Sequence, residues 1–120
     1  MKKFPKGNLF TKIPKHIGKE IFEVLVKRPG VSIQRILTQG QTTDWLTQDT
    51  DEFVVLLAGR AKLLFEGNRQ KSMKPGDYLN IPAGCRHRVS WTDPKQKSVW
   101  LAVRYAAEGG IPAFPIRRGI

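Results

Sequence analysis

The stretch from Lys74 to Trp91, Lys74-Pro75-Gly76-Asp77-Tyr78-Leu79-Asn80-Ile81-Pro82-Ala83-Gly84-Cys85-Arg86-His87-Arg88-Val89-Ser90-Trp91, decides how this chain folds. Pro75 presets one backbone dihedral and Gly76 accepts a positive one, so Lys74–Asp77 reads as a turn. Tyr78 to Ile81 is long enough for a short strand, and Pro82-Ala83-Gly84 stops it, because proline donates no ladder hydrogen bond. A second strand follows at His87. Alternation places His87, Val89 and Trp91 on one face and Arg88 and Ser90 on the other, with Arg88 toward solvent.

The same punctuation extends outward in both directions. Residues 21–28 (IFEVLVKR) and 31–37 (VSIQRIL) are rich in Ile and Val and are divided by Pro29-Gly30. Gly40 to Thr50 is polar and reads as a loop. Phe53–Leu57 is a continuous apolar run closed by Gly59, and Arg60–Glu66 alternates. Gly67-Asn68 offers a tight hairpin turn into Arg69–Met73. Residues 98–105 (SVWLAVRY) form the last strand after an Asp93-Pro94 turn. Seven or eight short strands between regular turns, with almost no helix, predict an all-β sandwich or barrel.

At 120 residues with 40% apolar and 26% charged residues, the chain is one globular domain with neither disordered nor fibrous composition. No apolar run reaches the roughly 18–20 residues that cross a bilayer, so no membrane partner is expected. The basic start lacks an apolar stretch of the kind a cleaved signal carries. Cys85 is the single cysteine, which fits the reducing cytoplasm. The net charge of +11 is the unusual quantity. Residues 1–28 hold eight Lys or Arg against Glu20 and Glu23, and read as a solvated basic arm. Along the linear sequence no interleaving of bases with aromatic residues and no zinc or helix-turn-helix signature appears, so nucleic acid is not an expected partner.

The spacing of Gly76, Pro82, Gly84 and His87 resembles the second motif of the cupins, GxxxxxPxGxxHxxxN, with Trp91 where the final Asn stands. Gly40, Glu52 and Gly59 resemble the first motif, GxxxxxHxHxxxExxxxxxG, but Leu46 and Gln48 occupy its two histidine positions. The resemblance spans about residues 40–105 and implies a double-stranded β-helix, or jelly-roll barrel. It divides the chain into a basic N-terminal arm and first strand (1–30), a cupin barrel (31–105) and a Pro/Gly-rich C-terminal tail (106–120).

In the family's arrangement Glu52 and His87 project into one cavity, within a few ångströms of each other or bridged by water. Of the usual three His and one Glu that hold a metal, this chain keeps Glu52 and His87. Gln48 adds a neutral carbonyl oxygen, so Gln48, Glu52 and His87 are the candidate ligands of a weakly held divalent metal. The alternative is a Glu52–His87 hydrogen-bonded pair that satisfies two buried polar groups without an ion. Trp91, on the inward face, is expected to wall the site. Trp45 and Trp100 read as core, with Arg35, Tyr78 and Arg104 as candidates for the cavity mouth. Cys85 reads as a small buried residue and His16 as a surface one. Small single-domain cupins are commonly homodimers, and the second apolar face of Phe53–Leu57 needs either the N-terminal strands or a second subunit to cover it. The expected function is a small-molecule-binding barrel, metal-free or weakly metal-binding. The alternative is a metal-dependent isomerase, epimerase or dioxygenase acting on a sugar or small acid.

Overall fold

The computed structural model describes residues 3–107, so nearly all of the tail expected over 106–120 lies outside the described residues. Eight strands carry the fold, β1 (Ile21–Arg28), β2 (Val31–Thr38), β3 (Asp51–Ala58), β4 (Ala61–Phe65), β5 (Arg69–Met73), β6 (Tyr78–Ile81), β7 (His87–Thr92) and β8 (Ser98–Tyr105). They form two antiparallel sheets, one in the order β1-β2-β8-β3-β6 and one in the order β5-β4-β7. The described residues contain no helix, and so none long and apolar enough to cross a membrane. This is the all-β architecture expected from the turns, in the jelly-roll form that the cupin resemblance implied.

The turn residues act where the sequence placed them. Gly67 and Asn68 both have positive φ (81° and 63°), the geometry of a two-residue hairpin turn whose twist matches its strands. Gly59, between β3 and β4, has φ +89°, and a Cβ there would lie 2.6 Å from the Ser98 Cα. Only glycine lets the β3–β4 turn pass that close to β8.

The core lies between the inward faces of the two sheets. Ile36, Val54, Leu56, Trp100 and Ala102 from the larger sheet meet Ala61, Leu63, Met73 and Val89 from the smaller one. Trp100 is fully buried, and its indole N–H donates to Thr38 Oγ1 at 3.0 Å, so its polar end is satisfied.

The outward face of the larger sheet is apolar too, as Phe53–Leu57 required. The N-terminal arm covers one end, where Ile17 packs with Leu37 and Val99, and Ile13 and Leu57 adjoin them. Arg35, on this outward face and not at the barrel mouth, fastens the arm. Its guanidinium donates to the Leu9, Thr11 and Lys12 carbonyls and pairs with Glu23. At the other end Phe53 and Val55 remain half-buried, and Tyr78, stacked against Phe53, is 65% exposed.

Candidate functional site

His87 opens β7 and is 1% exposed, with its ring 6.2 Å from that of Phe65. The stretch Gly40–Thr50 is a loop, as expected, and it runs beside β7. Leu46 forms an antiparallel bridge with His87, and each backbone N–H donates to the other's carbonyl. His87 Nδ1 lies 2.9 Å from the Cys85 carbonyl, which can only accept. Nδ1 therefore carries the proton, and Nε2 presents a lone pair to the barrel interior. Burial pushes the His87 pKa below the ordinary histidine value; the hydrogen bond to Cys85 opposes that shift and the Arg104 charge adds to it. The ring is neutral at pH 7.

Glu52 stands on the inward face of β3 and is 1% exposed. It faces Arg104 of β8 in register, and Arg104 Nε donates to Glu52 Oε2 at 3.2 Å. Burial raises the Glu52 pKa to about 7, with the Arg104 guanidinium holding back a still larger rise. This corrects the expected pairing. Glu52 bonds Arg104, His87 bonds Cys85, and among the described residues both Glu52 Oε1 and His87 Nε2 are buried without a hydrogen-bond partner. The reason is register, because β8 is hydrogen-bonded to β3 whereas β7 belongs to the other sheet.

Gln48 is 5% exposed and clamped by the Pro82-Ala83-Gly84 turn, whose Gly84 N–H donates to the Gln48 carbonyl at 2.7 Å. Its side-chain Oε1 is a third buried polar atom without a partner among the described residues. Asp51 Oδ1 accepts from Ala83 N–H at 2.8 Å, tying the same turn to the start of β3.

Trp91 does not wall this site. The β4–β7 pairing shifts between Lys62 and Leu63, so that Leu63 faces Val89 and Lys62 faces Trp91. This one-residue bulge turns Trp91 to the outside, 38% exposed, and sends Thr92 inward at 1% exposure. A bulge inverts the side-chain alternation beyond it, and nothing in HRVSWT signals where the extra residue falls.

Arg104 is buried inside the barrel, and Glu20 was missed altogether. Burial raises the Glu20 pKa to about 7, Arg104 lowers it in part, and the Glu52 carboxylate raises it further. Arg104 thus acts on Glu20, Glu52 and His87 alike. Strand alternation carried two residues back from Phe22, which packs on the core, could have flagged Glu20 as inward. Tyr78 lies outside, His16 is exposed, and Cys85 is half-buried.

Among the described residues no group of three or more His, Cys, Asp or Glu could hold a metal ion. The available set is one carboxylate oxygen, one imidazole nitrogen and one neutral amide oxygen, beside a guanidinium. Those donors fit at best a weakly held divalent ion, because the imidazoles that supply most of the affinity are Leu46 and Gln48 here.

The cupin-domain family profile matches residues 33–104. A protein of Ralstonia eutropha JMP134, described as a candidate mannose-6-phosphate isomerase, is 44% identical over 86% of this chain and all of its own, with a TM-score of 0.82. A cupin superfamily protein of Desulfitobacterium hafniense DCB-2 is 18% identical over 78% of this chain and 84% of its own, with a TM-score of 0.69. A conserved protein of unknown function from Streptococcus pyogenes is also 18% identical, over 91% of this chain and 93% of its own, with a TM-score of 0.72. No curated protein matches this chain. The profile match across most of the barrel and the identity to the Ralstonia protein make this chain a member of the cupin family.

Proposed function

We propose that this cupin binds a small molecule inside its barrel, against Gln48, Glu52 and His87. The observation that carries the reading is the set of three buried polar atoms, Gln48 Oε1, Glu52 Oε1 and His87 Nε2, that meet no hydrogen-bond partner among the described residues. A buried polar group without a partner costs about 1–3 kcal/mol, so three of them favour a ligand that supplies the missing partners. A polyhydroxylated molecule has hydroxyl donors of that kind, and a weakly held divalent ion would satisfy the same atoms. The cytoplasm suits the free thiol of Cys85, and a homodimer would cover Phe53, Val55 and Tyr78.

The identity to the Ralstonia protein favours a second reading, an isomerase acting on a phosphorylated sugar. Such a reaction needs a group that takes a proton and returns it. Glu52, with a pKa near 7, is poised for that exchange, and neutral His87 can accept through Nε2. Calorimetric titration of the protein, before and after chelation, with a panel of hexoses and hexose phosphates tests both readings. Saturable binding lost in Glu52→Gln and His87→Ala supports the barrel site. Binding that both variants retain would sink it, and sugar-phosphate turnover at Glu52 would select the enzyme.

A further inference from the structure

Strands β4, β5 and β7 make up the whole smaller sheet, and their sequences AKLLF, RQKSM and HRVSWT contain no Asp or Glu. The sheet's outward side gathers residues that lie far apart in the chain. Lys62 and Leu64 come from β4, Arg88 and Trp91 from β7, and Arg88 faces Leu64 in register. Arg86 precedes β7, and Trp45 comes from the segment running along its far side. Because Leu46 bridges inward-facing His87, Trp45 falls on the outward side. The Arg86 guanidinium lies over the Trp45 ring, 4.5 Å from its centroid, and the Lys62 ammonium lies 5.6 Å from the centroid of Trp91. Trp91 is exposed because the bulge in β7 ejects it from the core.

We propose that this outward face of the β5-β4-β7 sheet binds single-stranded nucleic acid. The charge complements a polyanion, since Lys62 and Arg88 stand on strands that hold no acidic residue and Arg86, whose backbone neighbour is Glu66, adds a third cation. The two indoles supply what a bare basic patch lacks, flat surfaces on which unpaired bases stack, each with a cation beside it to meet the adjoining phosphate. A duplex hides its base faces and gains nothing from the tryptophans, so the face prefers single strands. The interleaving of bases and aromatics absent along the sequence is produced here by sheet pairing among three separate segments.

The test is fluorescence anisotropy of a labelled twelve-nucleotide oligothymidylate titrated with the full chain. Three phosphate contacts predict a slope of log K against log salt of about −2, so affinity falls about 20-fold between 50 and 200 mM salt. Trp91→Ala and Trp45→Ala each weaken binding about tenfold, Trp91→Phe restores most of it, and Arg86→Ser with Arg88→Ser cuts the salt slope to about −0.7, the share of Lys62 alone. Lys12→Ser, Lys15→Ser and Lys19→Ser together, in the basic arm, leave the affinity within about threefold. The proposal is overturned by no binding at 50 mM salt, by binding indifferent to the tryptophans, by loss of binding in the arm variant, or by equal affinity for a duplex. Trp91 lies outside the core, so circular dichroism of Trp91→Ala should match the parent. If that variant misfolds, Trp91→Phe against Trp91→Ser decides the point.

Discussion

Arg104 Nε donates to Glu52 Oε2 at 3.2 Å inside the barrel, and this pair, rather than one between Glu52 and His87, organises the charge of the inner wall. Arg104 holds back the rise in the Glu52 and Glu20 pKa values and helps keep His87 neutral.

Stability should therefore depend on pH through Glu52. Its pKa is about 7 in the folded protein against an ordinary 4.5, so between those values the native state keeps a proton that the unfolded chain releases. Stability falls as pH rises through this window, by about 3 kcal/mol in all. Glu20 acts in the same direction. His87 opposes both, because its lowered pKa makes stability fall as pH drops below the ordinary histidine value. Glu52→Gln removes one of these contributions. The Tm difference between Glu52→Gln and the parent should shift toward the variant from pH 4.5 to pH 7.5; parallel pH profiles would refute the assignment.

His87→Ala separates a binding role from a structural one. With Nε2 unpartnered, removing the ring deletes an acceptor that faces the site and exposes only the Cys85 carbonyl to a lost bond. The expected outcome is loss of metal or ligand binding by at least tenfold, with the fold intact and a Tm drop of a few degrees. Metal content and Tm measured on one preparation check this. Unchanged binding with a large fall in Tm would leave His87 a structural residue.

Gly59→Ala should be among the most damaging single changes. The new Cβ meets the Ser98 Cα at 2.6 Å in a backbone of φ +89°. Strain of this kind costs about 1–3 kcal/mol before the steric overlap is counted, so urea unfolding should show a loss of at least about 2 kcal/mol. Gly67→Ala, with positive φ but open space, should lose less.

The half-covered face of Phe53, Val55 and Tyr78 predicts a homodimer. Light scattering at micromolar concentration should give twice the chain mass, and Tyr78→Glu should shift the mass toward the monomer. A monomer mass for the parent throughout would contradict it.

The eight strands and their turns were legible in the sequence because proline, glycine and two-residue alternation act locally. Pro29-Gly30, Gly67-Asn68 and Pro82-Ala83-Gly84 each set backbone dihedrals whatever surrounds them. The resemblance to the cupin motifs, rather than that local logic, brought Gln48, Glu52 and His87 to attention and implied that Leu46 and Gln48 stand where the family has two imidazoles. Register and bulges were not legible, since they depend on which strand lies beside which. Only the pairing of β3 with β8 set Arg104 against Glu52, and only the slip between β4 and β7 turned Trp91 outward beside Lys62. A one-residue shift inverts every following side chain, and the energy that selects it comes from core packing across both sheets rather than from residues near the shift.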